Sequence, residues 1–201
     1  MEEATLRRYV PEELELDTFG GSAWLGMTPF RVSGLRLRGT LPPPRLSDWL
    51  ELNVRTYVVF DDRPGIYFLS LDADSRFAVR AAKRLYHLPY FHARVRAEQQ
   101  GAWTDFSCER GDLSFAARYR PIGLAQAPEP GSLEHFLTER YRLYVVPAGR
   151  VHAADIHHPP WPLQPAEATI ARNTMALELE GDPLTHFSRR QDVVIWPLRA
   201  S

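Results

Sequence analysis

The sequence is poor in cysteine and lysine and has no long apolar run. Cys108 is the only cysteine among 201 residues, which excludes an internal disulfide framework and a metal site built on several thiolates. Lys83 is the only lysine among 24 basic side chains, so imine chemistry has one candidate besides the amino terminus. No stretch approaches the roughly 20 apolar residues of a membrane-spanning helix, and residues 1–10 lack a signal-peptide apolar region. We therefore expect a cytoplasmic protein without a membrane partner.

The charge balance excludes a second class of partner. The formal net charge is -1, and the sequence has 24 basic and 25 acidic residues. Such a chain has no overall field that attracts polyanions, so we do not expect it to bind nucleic acid. The hydrophobic fraction of 44% with 24% charged residues is typical of a folded globular protein. The length of the chain predicts a single domain over residues 1–201.

Alternating apolar and polar residues predict a chain made mostly of β-strands. Turn residues separate the alternating segments, as in antiparallel hairpins and meanders. The predicted strand groups are a hairpin of 13–19 with 22–30 around Gly20-Gly21, a hairpin of 51–60 with 65–73, a meander of 89–98, 103–110 and 113–122, a pair of 142–148 with 150–158, and a closing strand in 185–198. The segment 166–181 is predicted as a strand followed by a short helix, and 31–50, with Pro42-Pro43-Pro44, as a loop.

Helical spacing of apolar residues occurs in few places. The pattern predicts helices over 74–86 and 132–142, and a helical turn over 2–9. Together these elements predict a β-rich α+β fold, an antiparallel β-barrel or β-cone of about nine or ten strands closed on itself. Two or three helices would pack on its outside.

One predicted strand has two chemically different faces. In ELNVRTYV, the side chains of Glu51, Asn53, Arg55 and Tyr57 point one way, and the apolar side chains point the other way. Inside a closed barrel, the polar face would orient a small anionic or carbonyl ligand. The alternative is a half-buried strand whose polar side faces water, because such alternation is common in antiparallel sheets.

A second strand, PYFHARVR, repeats this arrangement. Tyr90, His92, Arg94 and Arg96 are predicted to share one face. His92 is a candidate acid or base near neutral pH, and Tyr90 is a candidate hydrogen-bond donor to a developing oxyanion. The alternative is a solvated face of long arginines.

The remaining candidate motifs give no site. His152, Asp155, His157 and His158 are residue types that bind zinc or iron. Because adjacent residues on a strand point to opposite faces, the last two cannot bind one ion together, and we predict no metal site. The sequence also lacks a G-x-S-x-G nucleophile elbow and a glycine-rich phosphate loop.

Several long motifs in order resemble one family. They are LELDTFGGSAWLGMTPFRVSGLR, ELNVRTYV, FLSLDADSRFAVRAAKRLYHLPYFHARV, SLEHFLTERYRLY, HHPPWPLQPAEA and DVVIWPL. Together they are similar to the YqjF-like family of uncharacterised bacterial proteins over nearly the whole chain. The resemblance implies the acetoacetate decarboxylase-like fold, a β-cone with a ligand cavity. Family members carry an extra amino-terminal strand, so the resemblance implies a barrel edge that a second copy of the chain would cover, as a homo-oligomer.

The resemblance also argues against decarboxylase chemistry. The decarboxylases carry two adjacent lysines, of which the first forms a Schiff base, and Tyr90 and Phe91 stand at the similar positions here. A tyrosine cannot form an imine, and Lys83 lies off the apolar stripe of the preceding helix. The resemblance further implies that Glu51 and Arg55 play parts similar to those of a glutamate and an arginine inside the cone.

Three hypotheses follow, and none requires a cofactor. The first is a binding protein whose cavity, lined by Asn53, Arg55, Tyr57, Tyr90 and His92, holds a small carboxylate or carbonyl compound. The second is a lyase or isomerase acting on a small keto acid in the same pocket. There Arg55 anchors a carboxylate, Tyr90 stabilises an enolate, and His92 or Glu51 moves the proton. The third is a structural or interaction protein whose own side chains fill the cavity.

Overall fold

The computed structural model describes residues 1–36, 47–176 and 181–201. The α-helices are α1 (Glu3–Arg7), α2 (Arg76–Tyr86) and α3 (Leu133–Thr138), and a 3-10 turn covers Pro147–Gly149. The strands are β1 (Glu15–Leu16), β2 (Thr18–Phe19), β3 (Ser22–Ala23), β4 (Leu25–Val32), β5 (Trp49–Phe60), β6 (Arg63–Ala73), β7 (Tyr90–His92), β8 (Arg94–Gln100), β9 (Trp103–Arg110), β10 (Leu113–Pro121), β11 (Arg142–Val145), β12 (His152–His157), β13 (Gln164–Asn173), β14 (His186–Phe187), β15 (Val194–Ile195) and β16 (Arg199–Ala200). No helix within these ranges combines the length and the apolar character that crossing a membrane requires.

Two large sheets and a small ribbon contain these strands. The first sheet has the order β1-β5-β6-β11-β12-β15, with β4 also beside β5, β7 beside β6 and β16 beside β12. The second has the order β14-β13-β10-β9-β8, and β2 pairs with β3 alone. The mostly-sheet α+β fold is therefore confirmed, and ten described strands have three or more residues.

The predicted closed barrel is wrong for the part of the chain that the structure describes. No sheet there closes on itself, because β7 and β8 belong to different sheets. Ala93 lies between these strands, and its amide donates to the carbonyl of Ala73 before the chain leaves the first sheet. The alternation of residues across 89–98 continues through this point, so it did not reveal the change of sheet.

The first predicted hairpin forms only at its tip. β2 and β3 pair around Gly20 and Gly21, which both have positive φ angles. Farther out the two arms separate, because β1 pairs with the end of β5 and β4 pairs with its first eight residues. The long strand β5 thus offers one edge to two short segments in succession, which local turn signals cannot predict.

The other predicted strand pairs are confirmed. β5 and β6 form a long hairpin, β8, β9 and β10 form the meander, and β11 pairs with β12. Within 185–198, where one closing strand was predicted, the structure has two two-residue strands, β14 and β15, and β16 follows at Arg199–Ala200. The Pro42-Pro43-Pro44 loop lies outside the described residues, and so do residues 177–180, where the short helix after β13 was predicted.

Three apolar cores hold the layers together. The first lies on one face of the large sheet and contains Trp49, Tyr57 and Tyr90 with residues of α2. The second lies between the two sheets, where Leu52 packs with Phe106 and other residues of the meander. The third contains residues after α1 and residues of β11 and β12. The large sheet is therefore covered on both faces, and polar residues on it are buried on either side.

Candidate functional site

Glu51 occupies the centre of a buried polar cluster on β5. The predicted alternation along this strand is confirmed: Trp49 and Tyr57 pack in the first core, whereas Leu52 packs in the second. Glu51 has only 1% of its surface exposed and Asn53 only 5%. The polar face therefore does not face water, which excludes the half-buried alternative for these two residues.

Two neutral donors bind the same oxygen of Glu51. The Tyr90 hydroxyl donates to Glu51 Oε2 at 2.9 Å, and the indole Nε1 of Trp49 donates to Oε2 at 3.0 Å. No described residue donates to Oε1. When Glu51 is protonated, the proton therefore resides on Oε1, and this oxygen is the one that can exchange a proton with a ligand.

Burial changes the acidity of this carboxyl group. Removal from water raises the pKa of Glu51 from 4.5 to about 7, because the charged form loses its hydration. The hydrogen bonds from Trp49 and Tyr90 act in the opposite direction, and the nearby Asp72 raises the pKa further. Burial and the Glu51 charge also raise the pKa of Tyr90 well above its usual value, so Tyr90 stays a neutral donor. A carboxyl group with a pKa near 7 can accept or donate a proton at physiological pH.

Asn53 and Arg55 continue the polar face and carry atoms without partners. Asn53 Oδ1 and Arg55 Nε are both buried, and neither makes a hydrogen bond. The Arg55 Nη2 atom donates to the carbonyl of Leu137 at 3.4 Å, so the guanidinium reaches the end of α3. Alternate residues on a strand lie about 7 Å apart, which places Asn53 between the carboxyl group and the guanidinium.

Tyr57 lies farther along the same face and is packed by aromatic and basic neighbours. Its ring centroid lies 5.2 Å from that of Phe136, and the Arg140 guanidinium lies 5.3 Å from the Tyr57 ring. Arg140 in turn binds Asp17 at 2.6 Å. Gly26 of β4 leaves room for this group, because a Cβ there would lie 3.1 Å from the Tyr57 hydroxyl. Tyr57 thus packs between β5 and α3.

His92 is not brought to this cluster. It ends β7 and is exposed, whereas Tyr90, two residues earlier, is 9% exposed. The predicted shared face of Tyr90, His92, Arg94 and Arg96 is therefore wrong: the chain changes sheet at Ala93, and the last three side chains of this set are exposed. Two clefts of about 270 and 230 Å³ lie elsewhere on the described surface, and neither is lined by Glu51, Asn53, Arg55 or Tyr90.

A second buried carboxylate lies on the opposite face of the sheet, and the sequence analysis missed it. Asp72 is fully buried, and its Oδ1 accepts a hydrogen bond of 2.5 Å from Arg110 Nε. The Arg110 guanidinium stacks on Phe91 at 4.0 Å from the ring centroid. Burial raises the pKa of Asp72, and Arg110 counteracts this effect. The available signal was a carboxylate within the apolar strand FLSLDA. Such a carboxylate, once buried, requires a cation from a distant part of the chain.

The only lysine does not approach the polar cluster. Lys83 is exposed on α2, and its Nζ lies 5.2 Å from the ring centroid of Phe91. Tyr90 instead presents its hydroxyl to Glu51.

The histidine-rich segment makes structural contacts. Asp155 pairs with Arg142 at 2.6 Å, His157 is exposed, and His158 stacks on Tyr141 at 4.7 Å. His152 Nδ1 lies 3.0 Å from the carbonyl of Arg150. In residues 1–36, 47–176 and 181–201 no three His, Cys, Asp or Glu side chains are grouped so that they could hold a metal ion.

Comparisons with known proteins place this geometry in context. Residues 1–195 match DUF2071, described as an uncharacterized conserved protein. The chain is 46% identical over 202 residues to the uncharacterized protein YqjF of Bacillus subtilis (strain 168), covering 96% of this chain and 84% of YqjF.

Two similar solved structures share the fold at low sequence identity. An acetoacetate decarboxylase has a TM-score of 0.65 at 15% identity, covering all of this chain and 82% of the other. The enduracididine biosynthesis enzyme MppR complexed with pyruvate has a TM-score of 0.58 at 13% identity, covering 98% of this chain and 81% of the other. At such identities the likeness shows the fold alone.

Proposed function

Because the chain belongs to the DUF2071 family and has the acetoacetate decarboxylase-like fold, we propose that it binds a small carboxylate or carbonyl compound, without imine chemistry, against Glu51, Asn53 and Arg55. The ligand class follows from the side chains: Arg55 pairs with a carboxylate, and Asn53 and the Glu51 carboxyl group hydrogen-bond a carbonyl or hydroxyl group. MppR, which shares the fold, is a protein complexed with pyruvate.

One observation carries this proposal. Asn53 Oδ1 and Arg55 Nε are buried without hydrogen-bond partners on successive inward positions of one strand. An unpaired buried polar group costs about 1–3 kcal/mol, so two such groups side by side are unfavourable in a purely structural core. Arg55 Nε needs an acceptor and Asn53 Oδ1 needs a donor, so a ligand with a carboxylate for Arg55 and a hydroxyl or enol group for Asn53 removes this cost. Arg55 is only half-buried, which gives the ligand an approach from the surface.

The acidity and position of Glu51 favour a second candidate, an enzyme that moves a proton next to a carbonyl group. With its pKa near 7 and no described donor on Oε1, Glu51 can remove a proton from the carbon beside the carbonyl and return it elsewhere, as a lyase or isomerase does. Tyr90 has a different role from the enolate stabilisation expected above, because its hydroxyl already donates to Glu51. We assign it the positioning of the carboxyl group, and we assign the Nδ2 amide group of Asn53 the hydrogen bond donated to the developing oxyanion.

Thermal denaturation with a panel of ligands tests the binding proposal. Pyruvate, 2-oxobutyrate and lactate are added to the wild type, to Arg55→Ala and to Arg31→Ala, whose arginine is exposed on β4. We expect at least one compound to raise the Tm of the wild type and of Arg31→Ala, because a ligand at 100 times its Kd stabilises by about 2.7 kcal/mol. Arg55→Ala should lose this stabilisation. An equal rise in Arg55→Ala, or no rise with any compound, contradicts the proposal.

Isotope exchange separates binding from catalysis. In D2O, an enzyme of this kind should exchange the C3 protons of 2-oxobutyrate, as followed by proton NMR, and Glu51→Gln should bind the compound but not exchange it. Equal exchange in both proteins would exclude Glu51 as the base. Borohydride added with the keto acid should leave the protein mass unchanged, because no lysine lies at the cluster. A covalent adduct would reject the imine-free proposal.

A further inference from the structure

A gap in the large sheet forms a cleft separate from the polar cluster. One edge of β6 has two parallel partners, β11 opposite Ile66 and Tyr67, and β7 opposite Leu71, Asp72 and Ala73. Within the described residues no strand pairs with this edge between them, at 68–70. The pairing of β6 with β5 also shifts register here, which marks a β-bulge. The pairing with β11 therefore ends at Tyr67 and the pairing with β7 begins at Leu71, which leaves residues 68–70 of this edge unpaired between them.

The cleft at this opening has a volume of about 270 Å³. It is lined by residues of β6, by the end of β11 and the turn after it, by the segment that links α2 to β7, and by Tyr9 after α1. The lining residues are Tyr9, Tyr67, Phe68, Leu69, His87, Pro89, Val145, Val146 and Pro147. Glu51, Asn53 and Arg55 are not among them, so this cleft is distinct from the proposed site.

The lining has no acidic, lysine or arginine residue, but it has groups that can form hydrogen bonds. None of the nine residues is aspartate, glutamate, lysine or arginine. The hydroxyl groups of Tyr9 and Tyr67 and the ring of His87 make no hydrogen bond with any described residue, so all three are free to bind a ligand. Burial raises the pKa of Tyr67, which keeps its hydroxyl protonated. The cleft thus combines aromatic and proline side chains with three hydrogen-bonding groups.

Backbone strain lies at both rims of the cleft. His87, which ends α2, has a φ of 52°, and Ala148, which follows Pro147, has a φ of 51°. Both values lie in the left-handed region that residues other than glycine seldom adopt. The same conformation occurs at Asp61 and Asp62 in the turn between β5 and β6. At His87 it ends α2, as left-handed residues commonly do at helix C-termini, and there and at Ala148 it turns the chain at the rims of the cleft.

We propose that this cleft binds a small uncharged aromatic compound that carries a hydroxyl or amide group. The volume lies slightly below the range of drug-sized pockets, which fits a single ring. Pro89 and Pro147 provide apolar contact for the ring, and Tyr67 and His87 hydrogen-bond its substituent. None of the lining residues is aspartate, glutamate, lysine or arginine, so the lining offers an ionic ligand no fixed opposite charge.

An NMR titration of amide signals tests this inference. Phenol and benzamide serve as probes, and cyclohexanol and benzoate serve as the non-planar and charged comparisons. We expect phenol or benzamide, added up to about 10 mM, to shift the amide signals of Leu69, His87 and Val146, and the two comparison compounds to bind at least fivefold more weakly. Equal binding by all four compounds, or no shift of these signals, overturns the inference.

Two variants locate the site. Val146→Trp should fill the cleft and weaken binding at least tenfold, and Tyr67→Phe should weaken it about threefold by removing one hydroxyl group. Val194→Trp is the matched control, since it adds the same side chain to an exposed valine on β15, and it should bind as the wild type does. Unchanged affinity in Val146→Trp contradicts the inference. Because the proposed keto-acid site involves different residues, failure here leaves the Arg55→Ala test unaffected.

Discussion

The Tyr90 hydroxyl donates a hydrogen bond of 2.9 Å to Glu51, although 39 residues separate them in the sequence. The two residues lie on β7 and β5, which do not pair with each other but flank β6 on opposite sides. On β6, Glu51 is opposite Ala73 and Tyr90 is opposite Leu71, so the hydrogen bond crosses β6 diagonally. The bond therefore spans a strand, and it couples the proposed proton-transfer group to the point where the chain leaves the first sheet.

Replacing Glu51 by glutamine should remove a pH dependence of folding. Because burial raises the folded-state pKa from 4.5 to about 7, the folded state holds this proton more tightly than the unfolded chain does. The associated stability is fully present below pH 4.5, is lost as the pH rises towards 7, and amounts to about 3 kcal/mol. Urea unfolding at pH 5, 6, 7 and 8 should show this loss in the wild type and not in Glu51→Gln. The same slope in both proteins would mean that Glu51 is ionised at pH 5.

Replacing Tyr90 by phenylalanine should affect both stability and acidity. The substitution removes one donor from Glu51 Oε2 and should lower the free energy of unfolding by about 1 kcal/mol. Because this hydrogen bond lowers the Glu51 pKa, its loss should raise that pKa, measured by carbon NMR of the carboxyl group. Tyr86→Phe is the control, since Tyr86 packs half-buried on α2 next to the same core. A Glu51 pKa that does not move in Tyr90→Phe would contradict the assigned positioning role.

Replacing Asn53 by leucine should stabilise the protein while it impairs ligand binding. The substitution removes a buried oxygen that has no partner and keeps a similar shape, so the free energy of unfolding should rise by about 1 kcal/mol. Chemical denaturation without ligand measures this gain, and the keto-acid titration measures the loss of binding. A destabilised variant would indicate that Asn53 makes an essential structural contact in the folded chain.

The polar face of β5 was predictable, because alternation alone places Glu51, Asn53, Arg55 and Tyr57 on one side of a strand. Its burial was not predictable, because the layers that cover it come from α2 and α3, far away in the sequence. His92 illustrates the same limit. A prediction from alternating residues assumes one uninterrupted strand. The chain changes sheet at Ala93, and no glycine or proline at this point marks the change.

The Asp72–Arg110 pair was hidden for a related reason. Asp72 stands out as a carboxylate in an apolar strand, but its partner does not stand out, and only the packing of the two sheets brings the Arg110 guanidinium to the carboxylate. Long hairpins such as β5–β6 depend on local turns and were predicted correctly, whereas contacts between sheets depend on the whole chain.

Removing Arg110 should destabilise the protein strongly. Arg110→Ala leaves the fully buried Asp72 without its charge partner, which should lower the free energy of unfolding by about 3 kcal/mol. Arg190→Ala is the matched control, because the Arg190–Asp192 pair is exposed and should contribute less than about 1 kcal/mol. The double variant Asp72→Asn with Arg110→Met should recover part of the loss, since no lone charge remains buried. A small effect of Arg110→Ala in urea unfolding would imply that water reaches Asp72.

Cys108 should be unreactive in the folded protein. Burial and the nearby Asp72 raise the pKa of its thiol to about 12, so at pH 8 only roughly one molecule in ten thousand carries the reactive thiolate. The side chain is also fully buried between the sheets, where a reagent cannot approach it. A chromogenic disulfide reagent should therefore modify the protein rapidly in urea and very slowly without it. Because the sequence holds no second cysteine, any fast reaction under native conditions must come from Cys108, and it would show that the two sheets separate locally while the rest of the fold persists.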